Sequence, residues 1–285
     1  MDSPRSRRGF VDLAEGQLHL RRLEGPPGTP VVLLHQASGS SRQMELLMPG
    51  FARHRPVIAI DLPGNGDSCP PASDDIDIAG YADAVVRALD TLGHRRAALY
   101  GFHAGASVAA EVAIARPDLV EALILDSVGL YSPAEAEEML TSYLPAIRRH
   151  PHGLHLVQCW NYVRDTYLFW PWFKTDAAHA RAVGLPPLDD LDAKVLEVIK
   201  GLDHFAKLYA AAFRHDKEAR FPLVGCRTLV TAGASNSQRE KLERVAGLIA
   251  GAETMVTPGV YDRESAAETG RLLGDWLAGA TARAR

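Results

Sequence analysis

The fold is decided by the apolar run Ala97-Ala98-Leu99-Tyr100 and by the pentapeptide that follows it, Gly101-Phe102-His103-Ala104-Gly105. A short continuous apolar run is typical of a strand buried on both faces of a sheet. The alanine-rich stretch that starts within the pentapeptide and continues to Arg116 has the composition of a helix. Glycine at both ends of the pentapeptide lets that helix pack closely against the strand. The stretch therefore predicts a strand, a sharp turn centred on His103, and a helix.

Two earlier segments repeat the pattern of a buried strand followed by a loop of small residues. Residues 31–35 precede a polar loop at residues 36–41, and residues 57–61 precede the turn Leu62-Pro63-Gly64-Asn65-Gly66-Asp67-Ser68. Parallel strands buried on both faces have this apolar composition. Four further strands are predicted at residues 17–22, 122–126, 228–232 and 254–256.

Helices are predicted between these strands. Apolar residues recur at helical spacing from Tyr81 to Leu92, and Gly93 ends that helix. Ser237 and Glu240 form a possible capping box before a second apolar helix. Strands that alternate with helices in this way predict an α/β fold with a mostly parallel sheet.

The order and spacing of these pieces resemble the α/β-hydrolase fold. In that family an H-G-x-x-G-like loop, a D-x-P-G-x-G-x-S loop and the nucleophile elbow G-x-S-x-G occur at about the separations found here. The middle loop matches closely, and the likeness covers about residues 16–127 and 220–280. The resemblance implies a mostly parallel sheet flanked by helices, with a helical cap inserted in the chain.

The chain of 285 residues is interpreted as one core interrupted by that cap. From about residue 129 to residue 221 the strand pattern disappears, which predicts core residues 1–128, a helical cap at residues 129–221 and core residues 222–285. Aromatic residues crowd into the middle of the cap, where they either attach the cap to the core or line a pocket. They are Trp160, Tyr162, Tyr167, Phe169, Trp170, Trp172 and Phe173.

The residues that give this family its Ser-His-Asp chemistry are replaced. His103 stands where the elbow normally has its nucleophilic serine. The loop at residues 233–237, where relatives carry the acid, contains no carboxylate, and residues 257–264 contain no histidine. Some relatives take the acid from the end of the strand after the elbow, where this chain has Asp126. These changes exclude the usual serine mechanism.

The backbone of such a site survives any side-chain replacement. The resemblance implies an oxyanion hole made by the N–H groups of Ala37 and Ala104, although Gln36 replaces the usual glycine of the first loop. A helix N-terminus disfavours imidazolium, so His103 is predicted to be neutral at pH 7 and able to act as a general base. Asp126 or Ser127 is predicted to orient its ring.

Three functions remain open. The first is an enzyme that acts on a small, largely apolar carbonyl compound, by hydrolysis or by a lyase, decarboxylase or isomerase reaction. The second is a non-catalytic ligand-binding or receptor-like protein of the same fold, and the third is a structural or partner-binding subunit.

Six residues are predicted to line the substrate pocket. Arg164 would hold a carboxylate or phosphate, unless it pairs with Asp165. A scaffold role competes with the pocket role for His35, as does a core or surface position for His204. The full set is His35, Gln36, Trp160, Arg164, Trp172 and His204.

Composition excludes several other classes. A net charge of −4, from 31 basic and 35 acidic residues, provides no field that would attract nucleic acid or an anionic membrane. No phosphate-binding glycine loop and no usual zinc motif occurs, so no organic cofactor and no metal are predicted. Three scattered cysteines favour the cytoplasm. The basic start, with Arg5, Arg7 and Arg8, is interpreted as a frayed terminus.

Overall fold

The computed structural model describes residues 6–283, and their centre is one eight-stranded sheet. The strand order is β1-β2-β4-β3-β5-β6-β7-β8. β1 and β2 are antiparallel to their neighbours, and every other pair is parallel. The strands are β1 (Arg7–Leu13), β2 (Gly16–Leu23), β3 (Val31–Leu34), β4 (Val57–Ile60), β5 (Ala97–Phe102), β6 (Val120–Asp126), β7 (Arg227–Gly233) and β8 (Glu253–Thr257).

Helices cover both faces of this sheet because the central strands carry apolar side chains on both sides. In β3, Val32 and Leu34 pack into one core cluster, whereas Val31 and Leu33 pack into the cluster on the opposite face. The predicted mostly parallel sheet flanked by helices is confirmed. The helices are α1 (Met48–Ala52), α2 (Ile78–Thr91), α3 (Ala104–Ala115), α4 (Pro133–Glu138), α5 (Leu154–Leu168), α6 (Leu188–Lys200), α7 (Phe205–Arg214), α8 (Lys217–Arg220), α9 (Leu242–Ala246) and α10 (Arg263–Arg283).

The predicted strand, turn and helix around His103 are present as β5 and α3, and they lie very close together. A Cβ atom built on Gly101 would lie 2.3 Å from Gly105 O, and one built on Gly105 would lie 2.4 Å from Leu34 O. Only glycine permits such an approach of two backbones. The two glycines of the pentapeptide therefore fix the position of α3 beneath the end of the sheet.

Two predictions about local structure are wrong. Arg7 and Arg8 do not belong to a frayed terminus but to β1, which is paired along its length with β2; Arg5 lies outside the described residues. The capping box of Ser237 and Glu240 does not form, because the local turn is held by the Asn236 side chain, which accepts a hydrogen bond from the N–H of Gln238 at 2.9 Å.

The chain between β6 and β7 is helical. It contains α4 to α8 and several single-turn helices, and an isolated bridge between Phe169 and Ala180 is its β pairing among the described residues. It has its own apolar cluster, centred on α5, α6 and Phe205. We call residues 129–221 the helical segment; its division from the core as a domain stays a prediction.

Two further observations concern the chain as a whole. None of the helices in the described part of the chain is long and apolar enough to cross a membrane. Cys69, Cys159 and Cys226 are all unpaired.

Candidate functional site

His103 occupies a strained turn between β5 and α3. Its backbone has φ 49° and ψ −111°, a region that residues with a Cβ atom rarely adopt. Hydrogen bonds hold it there: its N–H donates to Asp126 O at 2.9 Å, and its carbonyl accepts from the N–H of Ala106 at 3.0 Å. Strain of this kind is concentrated at functional positions in proteins.

A cavity of about 440 Å³ lies above this turn, between the carboxyl ends of the strands and the helical segment. The core contributes Phe102, His103 and Ala104 to its wall, together with Gln36 from the loop after β3. The structure thus brings Gln36, His103 and Ala104 to one cavity. Side chains of the helical segment complete the wall, and they include Tyr143, Tyr162, Trp170, Arg181, Lys194 and Tyr209.

The imidazole of His103 faces an amide instead of a carboxylate. Asn236 Nδ2 lies 3.4 Å from His103 Nε2 and 3.1 Å from the hydroxyl of Tyr261. The orientation of this amide is fixed, because its Oδ1 already accepts from the N–H of Gln238. Nδ2 therefore donates, so Nε2 of His103 carries the lone pair and Nδ1 carries the proton.

The electrostatic surroundings keep His103 neutral. Burial lowers its pKa to about 3, and the positive charges of Arg181 and Lys194 act in the same direction. The neutral ring agrees with the prediction, but its causes are burial and two cations of the helical segment rather than the start of α3 alone.

Asp126 and Ser127 do not orient the imidazole, contrary to the prediction. Both are buried, and the Asp126 carboxylate accepts hydrogen bonds from the hydroxyls of Tyr100 (2.7 Å) and Ser127 (2.8 Å). Burial raises the pKa of Asp126 to about 6, although these two bonds oppose the rise. Asp126 touches His103 through its backbone carbonyl, so this pair stabilises the turn.

The two backbone donors proposed from the sequence are differently exposed. Ala104 lines the cavity, whereas Ala37 is fully buried and lies outside the residues that form the wall. In the part of the chain that the structure describes, neither N–H donates a hydrogen bond. Both donors are therefore unengaged, and the joint role of Ala37 and Ala104 in an oxyanion hole stays a proposal.

Five of the six predicted pocket residues lie outside the cavity wall, so their predicted place is wrong. His35 is buried, with Nδ1 bonded to Gln36 O (2.6 Å) and Nε2 accepting from the N–H of Leu62 (2.9 Å), which is the scaffold role. Arg164 pairs with Asp165 at 2.7 Å. Trp160, Trp172 and His204 pack within the helical segment or against the loop at Gly64.

The sequence interpretation missed the two cations and the amide that surround His103. Asn236 was overlooked because the loop was searched for a carboxylate. Lys194 carries a readable signal, since it falls on the same face of α6 as the buried Leu191, Val195 and Val198. Arg181 lies in an irregular stretch that has no periodic pattern.

A second cluster of titratable groups links the loops of the core. His19, Asp61 and Asp67 offer ligand atoms close enough together for a metal ion. Those atoms are already used: Asp61 accepts from the N–H of Ser41 (2.6 Å) and bonds His19, while Arg8 contacts both His19 and Asp67. The cluster gives the D-x-P-G turn a structural role, because the Asp61 carboxylate joins this turn to His19 of β2 and to the loop at Ser41.

Comparisons with known proteins agree with this architecture. Residues 29–153 match the family model described as alpha/beta hydrolase fold. A putative carbamate hydrolase, RutD, from Klebsiella pneumoniae (strain 342) is 26% identical over 212 residues, which cover 74% of this chain and 75% of that protein.

Solved structures show the same likeness. Epoxide hydrolase A from Mycobacterium thermoresistibile superimposes with a TM-score of 0.73 at 21% identity, covering 96% of this chain and 99% of that one. The enol-lactonase from Burkholderia xenovorans LB400 gives a TM-score of 0.72 at 17% identity, covering 94% and 99%. The chain therefore has the α/β-hydrolase fold.

Proposed function

We propose that this protein is an atypical α/β-hydrolase-fold enzyme that works without a Ser-His-Asp triad. Its substrate is a small, largely apolar carbonyl compound, and His103 is its general base. The observation that carries the proposal is the neutral imidazole on a strained turn in the wall of the 440 Å³ cavity.

The geometry defines a simple proton transfer. Nε2 of His103 has a free lone pair apart from a long contact to the Asn236 amide at 3.4 Å, which a substrate or water proton can replace. Nε2 takes a proton from a bound water that adds to the carbonyl carbon, or from the carbon next to the carbonyl. The negative charge that develops on the carbonyl oxygen is held by the N–H groups of Ala104 and Ala37, and the imidazolium later returns its proton.

Hydrolysis is the first of these reactions to test. Water addition to a carbonyl is what the name of the RutD relative, a putative carbamate hydrolase, implies for that protein. A lyase, decarboxylase or isomerase reaction would use the same base and the same oxyanion donors, but its first step would take place at the carbon next to the carbonyl.

The helical segment serves as a cap in this proposal, and it selects the substrate through the aromatic and cationic side chains that line the cavity. The partner is a small molecule, with no role for nucleic acid, membrane or an organic cofactor. The three unpaired cysteines favour a cytoplasmic location.

A non-catalytic ligand-binding protein is the second candidate. The observation that favours it is the pKa of His103, since a base with a pKa of about 3 has little driving force in the empty cavity. In that case the cavity would bind a ligand and release it unchanged.

Substitution of His103 distinguishes the two candidates. Against a panel of small esters, carbamates and enolisable ketones, His103→Ala should lose at least about 100-fold in turnover of whichever compound the wild type converts. The exposed His152→Ala is the matched control and should keep full turnover. Unchanged turnover in His103→Ala would contradict the base. Absence of turnover in the wild type, together with an intact ligand carried through purification, would favour the binding protein.

A fluorophosphonate probe tests the other half of the proposal. Because no serine occupies the elbow, the wild-type protein should remain unlabelled, whereas a serine hydrolase measured in parallel is labelled. Stoichiometric labelling of any serine would show that serine chemistry persists.

A further inference from the structure

Two cationic side chains in the cavity wall have nitrogen atoms without partners. Lys194 Nζ is buried and has no hydrogen-bond partner within the described residues 6–283. Arg181 donates from Nη1 to Thr166 O at 2.7 Å and lies over the ring of Tyr261 at 5.0 Å, but its Nη2 is buried and unpartnered. Neither side chain forms an ion pair with any carboxylate that the structure describes.

Several other cations of the helical segment form ion pairs. Lys200, at the end of α6, contacts Asp67 at 3.1 Å, and Lys174 contacts Glu138 at 2.6 Å. Glu197, about one turn beyond Lys194 on α6, is paired with Lys200 at 3.7 Å and not with Lys194, and its Oε2 has no hydrogen-bond partner. Lys217 also lines the cavity without an ion pair, but its Nζ donates to Ala212 O at 2.7 Å, whereas Lys194 Nζ and Arg181 Nη2 have no hydrogen-bond partner among the described residues.

Burial without a counter-ion is unfavourable for a cation. Burial lowers the pKa of Lys194 to about 8, and the charge of Glu197 opposes this only in part. An anion that enters the cavity would give both nitrogens a partner, and a charge-assisted hydrogen bond is stronger there than in water.

We propose that the cavity takes a ligand with a carboxylate group, which Arg181 and Lys194 hold through their unpartnered nitrogens, while its aryl or alkyl body packs on the aromatic wall. That wall is formed by Tyr143, Tyr162, Trp170, Tyr209 and Phe213. The aromatic side chains and the two free donor groups suit a monoanion, because a phosphate has a third oxygen to satisfy and a greater charge, which the carboxylates of Asp190, Glu197 and Asp262 in the same wall would repel. If the proposed function holds, this ligand is the substrate, and its carbonyl lies between the carboxylate and His103.

The same anion would change the base. The charges of Arg181 and Lys194 disfavour the imidazolium form of His103 in the empty cavity. A bound carboxylate offsets both charges, so it raises the pKa of His103 toward its ordinary value. Burial, the main cause of the lowered pKa, remains, but His103 would be a stronger base with a carboxylate-bearing substrate bound than in the empty cavity, which links substrate recognition to proton transfer.

The test uses phenylacetate, its uncharged analogue phenylacetamide, and phenyl phosphate as probes in calorimetric titrations at pH 7. Phenylacetate should bind at least 10-fold more tightly than phenylacetamide. Arg181→Met and Lys194→Met should each weaken phenylacetate at least 10-fold and leave phenylacetamide unchanged. Lys200→Met is the matched control and should change neither.

Three results would overturn the proposal: equal affinity for acid and amide, insensitivity of phenylacetate to both substitutions, or tighter binding of phenyl phosphate. If both variants fail to fold, the imidazole resonances of wild-type His103 provide the second measurement. Phenylacetate should raise the pKa of His103 and phenylacetamide should not; the same pKa with both probes would contradict the proposal.

The anion site rests on the proposed function only for its role in a reaction. His103→Ala should retain phenylacetate affinity. If the protein prefers phenylacetate to phenylacetamide but His103→Ala keeps full turnover, the general-base proposal is wrong and the anion site stands. Loss of turnover in His103→Ala without any preference for the acid refutes the anion site alone.

Discussion

The floor of the cavity and its roof are built in opposite ways. The floor, residues 101–105, depends on close backbone packing, with a Cβ atom on either glycine meeting main-chain atoms within 2.4 Å. The roof, formed by the helical segment, holds Arg181 and Lys194 without ion-pair partners among the described residues and presents aromatic side chains. In the proposed function, the floor therefore fixes where chemistry occurs, whereas the roof selects the molecule that binds there.

The largest effect is expected when the packing of the floor is broken. In Gly105→Ala the new methyl group would lie 2.4 Å from Leu34 O and 2.6 Å from His35 O, both of them backbone atoms. We expect a loss of about 3 kcal/mol in the free energy of unfolding, measured by urea denaturation. Gly28→Ala is the control, since its methyl group meets nothing within 4 Å. Equal stability of the two variants would show that the floor tolerates side chains.

A negative charge placed next to residues 101–105 should raise the pKa of His103. Asn236→Asp puts a carboxylate near Nε2 of His103, which stabilises imidazolium and should raise the pKa of His103 by roughly 1–3 pH units. Because the base acts unprotonated, the acidic limb of the activity profile should move to higher pH. Histidine NMR titration measures the pKa directly, and Asn161→Asp controls for an added charge elsewhere. An unchanged pKa would refute the contact.

The stability that comes from the contact between α3 and the helical segment should depend on pH. Glu111 of α3 bonds Arg220 (2.8 Å) and His215 (2.8 Å) of the helical segment. Burial acts to raise the pKa of Glu111, but the hydrogen bonds from Arg220 and His215 outweigh it and hold the pKa at about 2. A pKa depressed in the folded state gives stability that is present above the ordinary value near 4.3 and is lost as the pH falls toward 2.

Glu111→Gln should therefore cost about 2 kcal/mol at pH 7 and flatten the dependence of stability on pH between about 5 and 2. Glu218→Gln is the control, because its pair with Arg244 is exposed on both sides and should contribute little. An equal effect of the two substitutions would show that the buried link contributes no more than a surface pair.

The smallest effect concerns the packing of the roof. Trp172 donates from its indole to Tyr143 O at 2.8 Å but does not line the cavity. Trp172→Phe should lose about 1 kcal/mol in thermal unfolding and leave phenylacetate affinity unchanged. A substantial loss of phenylacetate affinity would indicate that Trp172 does form part of the ligand site.

The core was predictable because the types of its residues indicate which positions are buried and which allow close packing. Strands such as β3 and β5 are apolar at every position, and Gly101 and Gly105 mark the close approach of α3. β1 escaped prediction because it is an edge strand in which Val11 alone is fully buried, so its charged residues resemble those of a loop.

The site was predictable only where a local motif defines it. His103, Ala104 and Gln36 were found from the elbow and the first loop, and they line one cavity. Asp126 was misjudged because its partner, Tyr100, lies one strand away and cannot be found from spacing. Arg181 reaches the cavity through the tertiary arrangement of the helical segment, which no motif encodes.

The backbone conformation at His103 sets stability against activity. A residue with a Cβ atom held at φ 49° and ψ −111° destabilises the native state by about 1–3 kcal/mol. Glycine would relieve most of that backbone strain. His103→Gly should therefore have a Tm at least as high as the wild type and yet show no turnover. In the proposed function, a side chain that lowers the stability of the fold is retained because it acts as the base.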